Sequence, residues 1–404
     1  MGLKVGICGA GVFARAFVPL FMVHPGVESV AVADIVEDKA RKFAADFGID
    51  RVYRSLTELC ESDVDAVALF SQNTMHGPQS VEALRAGKHV YSAVPAAVSL
   101  EQLATLVGAV EDTSLVYMTG ETSYYYPSVV YCRNRFRSGD FGEIVYGEAE
   151  YFHDMSDLYE VYQHRFGDEW RRNAGIPPMY YPTHSTSMIV SVTGARITQV
   201  SCMGFVDHNQ DKLFGATANL WGNPFSNEVA LCRMSDGSIG RFNEFRRVAE
   251  GGGRGGCLRL YGTEGSFEQE ASGRCTWTQR RSGGGSEIVD VTDELVVVEG
   301  NNVGTGEGTG VDADWSRSGM AEVHPVARLP AEFRGLPSGH YGSHHFLVDD
   351  FISNCLNRTA PPNSVWEAAR YLAPGLRAHD SAARHGELLE VPDFGHPPTT
   401  LIPD

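Results

Sequence analysis

The sequence predicts an α/β fold in two parts: a doubly wound parallel sheet at the N-terminus, then an α+β part with a large antiparallel sheet. Three observations predict it. Apolar strand-like runs alternate with helical patterns from Leu3 to Met118, the signature of parallel strands joined by crossover helices. The first run breaks into a glycine turn that opens a helix. Beyond Tyr126 the texture changes to period-two alternation separated by turn signals. With 404 residues the chain is too long for one core, so two domains are expected, 1–125 and 126–404.

The opening element decides the first domain. Leu3–Cys8 reads as a buried strand, Gly9-x-Gly11-x-x-Ala14 follows, and Ala14, Phe17, Val18 and Phe21 give a helical stripe. This is the Rossmann dinucleotide-binding fingerprint. Gly9 permits the tight turn, Gly11 leaves room for a pyrophosphate, and Ala14 lets helix and strand pack closely. The helix N-terminus, starting at Val12 and Phe13, offers N–H groups and partial positive charge to phosphates. A second strand, Val30 to Ala33, ends in Asp34, an acid twenty residues past Ala14. A carboxylate there accepts hydrogen bonds from the adenosine ribose and repels a 2′-phosphate, so the cofactor read is NAD. The bland alternative is a tight turn in an ordinary α/β domain.

The remaining elements of this half follow in order. A charged helix runs from Glu37 to Phe47 and is closed by Gly48. Strand Arg51–Tyr53 precedes a helix opened by the capping box Ser55/Glu58. Strand Ala66–Phe70 runs into a loop at 71–76, a helix closes at Gly87, and strand His89–Tyr91 leads into a loop at 92–97. Helix Leu100–Val110 and strand Leu115–Met118 finish the sheet. The loops at 71–76, 92–97 and 120–126 lie beyond strand carboxyl ends, where such sheets bind ligands.

In the second half a helix spans Ser128–Arg137, and alternation begins at Ile144. Further strands are expected at 198–206, 215–221, 228–234, 238–246 and 257–261, with loops at Gly251–Gly256 and Asn301–Met320. Helices Ser343–Asn357 and Ser364–His385 close the chain. The antiparallel sheet is a candidate dimerisation face, so a homodimer or homotetramer is expected.

Composition narrows the function classes. A formal net charge of −18 argues against nucleic-acid binding. No apolar run reaches membrane-spanning length, and the N-terminus enters a strand at once, with no room for a signal peptide. Eight scattered cysteines without a Cys-x-x-Cys pair read as reduced residues of a cytoplasmic protein, with no zinc site. His340, His344 and His345 lack carboxylate or thiolate partners at ligand spacing and read as a helix N-terminus, so no metal is expected.

This order of parts resembles the glucose–fructose oxidoreductase and inositol dehydrogenase (Gfo/Idh/MocA) family over nearly the whole chain. Asn73 and His76 match its Asn-x-x-His loop beside the cofactor, with Ser71 preceding them. Two positions depart from the dehydrogenase pattern. Where the family has Glu-Lys-Pro, the chain has Ala93-Val94-Pro95. Where it has an Asp four residues before a His, the chain has Tyr180, with His184 retained. Val94 cannot move a proton, and a positioned acid or base contributes about 10²–10⁴-fold. Tyr181 and His184, three apart around Pro182, form a replacement pair at the start of a helix. A helix N-terminus favours phenolate and neutral imidazole there.

Val94-Pro95-Ala96-Ala97, Glu121, Tyr151-Phe152-His153-Asp154, Tyr181-Pro182-Thr183-His184 and Val391-Pro392-Asp393-Phe394 resemble one branch of that family. It holds the NAD-dependent glycoside hydrolases such as the bacterial α-N-acetylgalactosaminidases. The match is incomplete at Ala93 and at Ser185-Thr186-Ser187. The resemblance implies a tightly bound, recycled NAD held by Gly9, Gly11, Val12, Phe13, Asp34, Ser71, Asn73, His76, Val94, Pro95 and Glu121. It implies a glycoside substrate, oxidised transiently at C3, deprotonated at C2, cleaved by elimination at C1, hydrated and re-reduced, with no net redox change. His184 is then the C3 hydroxyl base, Tyr151 the C2 base, and Tyr181 orients His184 or binds the sugar. His153, Trp170, Arg171 and Tyr180 are substrate-binding candidates. His153 and Asp154 otherwise form a strand-end salt bridge, and Trp170 to Arg172 a solvated loop. Two alternatives stay open: an NAD-dependent sugar or polyol dehydrogenase, and a non-catalytic NAD-binding sensor.

Overall fold

The computed structural model describes residues 2–397 apart from 167–169, 210, 212, 216, 250–255 and 298–319. Six strands, β1 (Leu3–Cys8), β2 (Val27–Ala33), β3 (Arg51–Tyr53), β4 (Ala66–Leu69), β5 (His89–Ser92) and β6 (Tyr117–Thr119), form the first sheet. All pair in parallel, in the order β3-β2-β1-β4-β5-β6. Helices α1 (Val12–Val23), α2 (Glu37–Phe47), α3 (Leu56–Glu61), α4 (His76–Arg85) and α5 (Leu100–Thr113) connect them. Strands covered on both faces are apolar throughout: Val5, Ile7, Val32, Ala66, Val67 and Leu69 are fully buried. The order reverses between β1 and β4, which makes that point the ligand crevice. The local signals hold. Ser55 Oγ accepts the Glu58 N–H at 3.0 Å, Glu58 accepts the Arg54 N–H at 2.9 Å, and Gly48 closes α2 at φ +69°.

The second sheet takes β7 (Ile144–Phe152), β8 (Ile197–Val206), β9 (Phe225–Met234), β10 (Ile239–Phe245), β11 (Cys257–Gly262), β12 (Gly265–Gln269), β13 (Cys275–Arg280), β14 (Ser286–Asp290) and β15 (Leu389–Glu390). Their order is β14-β13-β12-β11-β7-β10-β9-β8-β15. Neighbours are antiparallel except β7 and β10, which run parallel. On β7 the alternation buries Gly147, Ala149 and Tyr151. Helices α6 (Pro127–Arg137), α9 (Thr183–Thr193) and α12 (Val365–Ala383) lie on the inner side. Helix α11 (Ser343–Asn357) packs instead against α1. On the opposite face Arg241 and Arg259 pair with Glu148 and Glu150, and Met203, Phe205 and Leu231 are exposed.

Three readings change. The described residues of 215–221 form bends and turns rather than a strand. Asn219 takes over the backbone bonding, donating to the carbonyls of Leu213, Gly215 and Asn223 and accepting the N–H groups of Trp221 and Asn223. Trp170 to Arg172, for which a solvated loop is one reading, lie in helix α8 (Trp170–Ala174), which follows α7 (Ser156–Phe166). Strands β12 to β14 extend the sheet past the last strand expected. The loops expected at 251–256 and 301–320 fall, save for Gly256 and Met320, outside the described residues. Among the described residues no helix is long and apolar enough to cross a membrane.

Candidate active site

The crevice at β1 is built by glycine. Gly9 sits at φ +102°, and a Cβ there would meet the Phe70 carbonyl oxygen at 2.6 Å, so no other residue fits. At Gly11 a Cβ would meet nothing within 4 Å: the space over the start of α1 is open. Asp34 holds the turn, its Oδ2 accepting the Ala10 N–H and its Oδ1 the Val36 N–H, both at 2.9 Å, with Lys39 Nζ 3.5 Å away. His76 braces two loops, its Nδ1 2.9 Å from the Pro95 oxygen and its Nε2 3.1 Å from the Ser71 oxygen. Burial lowers its pKa against those two contacts. An open cradle at a helix N-terminus beside a strand-end carboxylate fits a dinucleotide.

Below the crevice stands His184, in the first turn of α9. Its Nδ1 is 2.7 Å from Glu121 Oε1, and both side chains are buried. Glu121 also accepts the Ser123 N–H at 2.9 Å and its hydroxyl at 2.7 Å. Burial opposes the charge of Glu121, but the contact with His184 outweighs it and holds the carboxyl below its ordinary range. A carboxylate on Nδ1 assigns the proton to that nitrogen and leaves Nε2 as the proton acceptor. Helix α9 is buried on nearly all sides, so its polar residues need partners. Ser185 donates to Glu244, Thr186 to the Tyr371 carbonyl at 2.7 Å, and Ser187 pairs with Ser123. The serine–threonine run therefore pins the helix to three neighbours and fixes the ring of His184.

Two tyrosines flank that ring, with centroids 4.6 Å away for Tyr151 and 5.2 Å for Tyr181. The Tyr151 hydroxyl lies 2.9 Å from His153 Nδ1. Burial, reinforced by the charge of Arg246, pushes His153 down to about 4, so it is neutral and its Nδ1 can accept the Tyr151 hydroxyl hydrogen bond. The Arg246 guanidinium lies 5.2 Å from the Tyr151 ring and 5.7 Å from that of Tyr181. It is held by Glu244 at 3.0 Å. Glu244 is fully buried, which raises its carboxyl to about 8 despite Arg246. The site thus carries two separate polar pairs, His184 with Glu121 and Tyr151 with His153.

Residues 3–121 match the family described as oxidoreductase, NAD-binding Rossmann fold. That stretch is similar to the Gfo/Idh/MocA oxidoreductases. The chain is also 30% identical over 200 residues to a "glycosyl hydrolase family 109 protein" of Shewanella baltica and to an "alpha-N-acetylgalactosaminidase" of Shewanella oneidensis. Each match covers 45% of this chain and 42% of the relative, so the chain matches under half the length of these curated relatives. Solved oxidoreductases share the fold. A levoglucosan dehydrogenase with NADH superposes at TM-score 0.70 with 17% identity, covering 97% of this chain and 100% of that one. An NAD-binding oxidoreductase of Klebsiella pneumoniae reaches TM-score 0.73 at 17% identity with the same coverage. The family resemblance, the two-sheet fold and NAD as cofactor are borne out.

Not every residue expected at the site of this oxidoreductase fold is there. Glu121, expected on the cofactor, is at the site and also bonds His184. Tyr181 precedes α9 rather than sharing its first turn, and burial pushes its phenol well above the usual range. The expected phenolate therefore fails, because desolvation exceeds any helix-end effect, and Tyr181 stays a protonated phenol. Tyr180 packs on Trp221 and His379, at 5.5 and 5.2 Å. Trp170 is buried in a satellite cluster with Tyr159, Leu213 and Phe214, and Arg171 lies over its ring at 4.8 Å. The side chain of Arg172 is outside the described residues. Asp154 bonds the Ser156 N–H at the start of α7, not His153. Val94 is buried and apolar. Sequence reasoning missed Arg246. Its signal was Glu244 and Arg246, two apart, with Arg246 just past β10 continuing the face that carries Phe242 and Glu244 inward.

Proposed function

We propose that this protein is a glycoside hydrolase that works by transient oxidation of its sugar. The carrying observation is the two separate polar pairs around one buried cleft, His184–Glu121 and Tyr151–His153. A plain dehydrogenase needs one base, for the hydroxyl proton. Elimination needs a second, for the carbon acid next to the new ketone.

Gly9, Gly11, Val12, Phe13 and Asp34 would hold the dinucleotide, with Ser71, Asn73, His76, Val94 and Pro95 on the loops around it. Bound NAD supplies a hydride acceptor that becomes the hydride donor at the end of the cycle. His184 Nε2 takes the proton of the sugar C3 hydroxyl, and Glu121 stabilises the imidazolium that results. Tyr151, in its tyrosinate form, removes the C2 proton, with its oxygen 2.9 Å from His153 Nδ1. Arg246 beside the ring favours the tyrosinate. Tyr181, a neutral phenol, binds a sugar oxygen. The C1 substituent leaves, water adds at C1, and the same groups return the protons. Balance requires tightly held, recycled NAD and no net oxidant.

The substrate class is a glycoside. The name of the Shewanella oneidensis relative makes an α-N-acetylgalactosaminide the first to test. A cytoplasmic location and a homo-oligomer joined through the exposed sheet face belong to the same proposal. The test is a panel of p-nitrophenyl glycosides in D₂O without added NAD. Deuterium at C2 of the released sugar is expected. Cleavage without exchange, or stoichiometric NADH without cleavage, would overturn the reading and favour a plain dehydrogenase.

A further inference from the structure

Glu228 takes no part in the site described above, yet its partners lead straight to it. On β9 the alternation turns Ala230, Cys232 and Met234 into the core, and Glu228 occupies the next position of the same stripe, fully buried. Packing alone would place an aliphatic residue there, because a buried carboxylate is costly unless it is partnered. Both of its oxygens are. Oε1 lies 2.9 Å from His379 Nδ1 on α12, and Oε2 accepts the Met179 N–H at 3.0 Å.

Met179 belongs to the single helical turn Pro178–Tyr180, which hands the chain to Tyr181, Pro182 and the start of α9. Glu228 therefore ties down the backbone just ahead of Tyr181 and His184. Its second partner steadies the same turn, since the ring of Tyr180 packs on His379 at 5.2 Å. Helix α12 presses close: a Cβ at Gly375 would strike the Met179 carbonyl and the Pro182 ring. On the neighbouring strand Glu244 stands opposite Glu228 in register, on the same face of the sheet. It accepts the Ser185 hydroxyl and holds Arg246, whose guanidinium reaches the Tyr181 carbonyl at 3.4 Å. Two adjacent buried carboxylates thus grip the segment 179–185 from below, Glu228 ahead of His184 and Glu244 behind it.

We propose that Glu228 is a positioning residue for Tyr181 and His184: its carboxylate anchors the Met179 N–H and so sets where the segment carrying both rings stands against the sugar. Glu121 settles which nitrogen of His184 carries the proton, and Glu228 settles where the helix bearing that ring begins. This rests on His184 acting as the hydroxyl base, the part of the proposed function that a hydrolase and a dehydrogenase share. A base tolerates little error in its reach, and a misplacement of about 1 Å costs about 10²-fold.

Two variants test it. Glu228→Met with His379→Phe replaces the buried pair by apolar side chains of similar size, an exchange that is commonly neutral for stability, and deletes the acceptor of the Met179 N–H. Glu228→Gln keeps that acceptor. The double variant should hold its melting temperature and NAD affinity. It should lose about 10²-fold in kcat, with KM changed by less than about threefold, and its Met179 amide should exchange faster in D₂O. Glu228→Gln should stay within about threefold of the wild-type rate and keep Met179 protected. A double variant with kcat within about twofold of wild type, or an equal loss in Glu228→Gln, would overturn the role. So would a double variant that does not fold, the pair then serving stability alone. Wild-type enzyme that makes stoichiometric NADH without cleavage sinks the elimination reading only, and kcat for hydride transfer then carries the same comparison. Wild type inert toward glycosides and polyols alike would remove His184 as the base, and Glu228 with it.

Discussion

His184 Nδ1 and Glu121 Oε1 stand 2.7 Å apart, both buried, and this contact decides which nitrogen of the histidine can do chemistry. Replacing Glu121 by Gln keeps the volume and removes the charge. The amide can turn its N–H toward Nδ1 and reverse the tautomer. We expect kcat to fall by about 10²–10⁴, with NAD affinity nearly unchanged. Tryptophan fluorescence titration with NAD, run beside steady-state kinetics, separates this role from cofactor binding.

The oxygen of Tyr151 is the second proton acceptor of the proposed mechanism. In Tyr151→Phe the oxidation at C3 should persist while the C2 proton stays in place. Single-turnover absorbance should then show reduced nicotinamide building up, and glycoside cleavage should fall by about 10²-fold or more. A variant that cleaves normally would remove Tyr151 from the mechanism.

Tyr181 gives a contrasting expectation. Burial keeps its phenol protonated, so it contributes a hydrogen bond of about 1–2 kcal/mol. Tyr181→Phe should lose about tenfold in kcat/KM and leave the shape of the pH–rate profile intact.

Space around Gly11 separates folding from binding. A methyl group there meets no protein atom within 4 Å, so Gly11→Ala should melt like the wild type. It should nevertheless lose NAD affinity, because the methyl occupies the approach to the pyrophosphate. Gly9→Ala, which strikes the Phe70 carbonyl, should lower the melting temperature as well. Calorimetry and NAD titration on the two variants would check the contrast.

Glu244 supplies a pH signature. Its folded-state pKa of about 8 lies above the ordinary 4.5, through burial. A group raised in this way contributes stability that is complete below the ordinary value and lost as pH rises through the folded one. The melting temperature of wild type relative to Glu244→Gln should therefore fall between about pH 5 and pH 8. A flat difference over that range would contradict the burial argument.

Much of this was legible in the residues. Gly9, Gly11, Ala14 and Asp34 specify a turn whose requirements are local, and Ser55, Gly48 and the periodic helices are local too. His184 and Tyr151 could be placed because their motifs are short. What escaped depends on contacts between distant segments. The partner of His184 is sixty-three residues away, at Glu121. Asn219 replaced strand bonding by a side-chain turn that apolar alternation does not register. Trp170 and Arg171 looked exposed until α7 and α8 gave Trp170 a cluster to enter. Glu228 sits in an apolar stripe of β9, and its hold on Met179 comes from topology that no periodicity encodes.

Asn363 closes a clasp whose effect reaches beyond packing. Its carbonyl takes the Thr119 N–H at 2.9 Å, and its side-chain amide reaches the Glu121 carbonyl and the Tyr371 hydroxyl at 3.4 and 3.3 Å. The last strand of the nucleotide sheet and the final long helix are thereby fastened at the root of the acid that orients His184. Heat should consequently melt both halves in one calorimetric peak, and loosening the clasp should silence the enzyme before it unfolds.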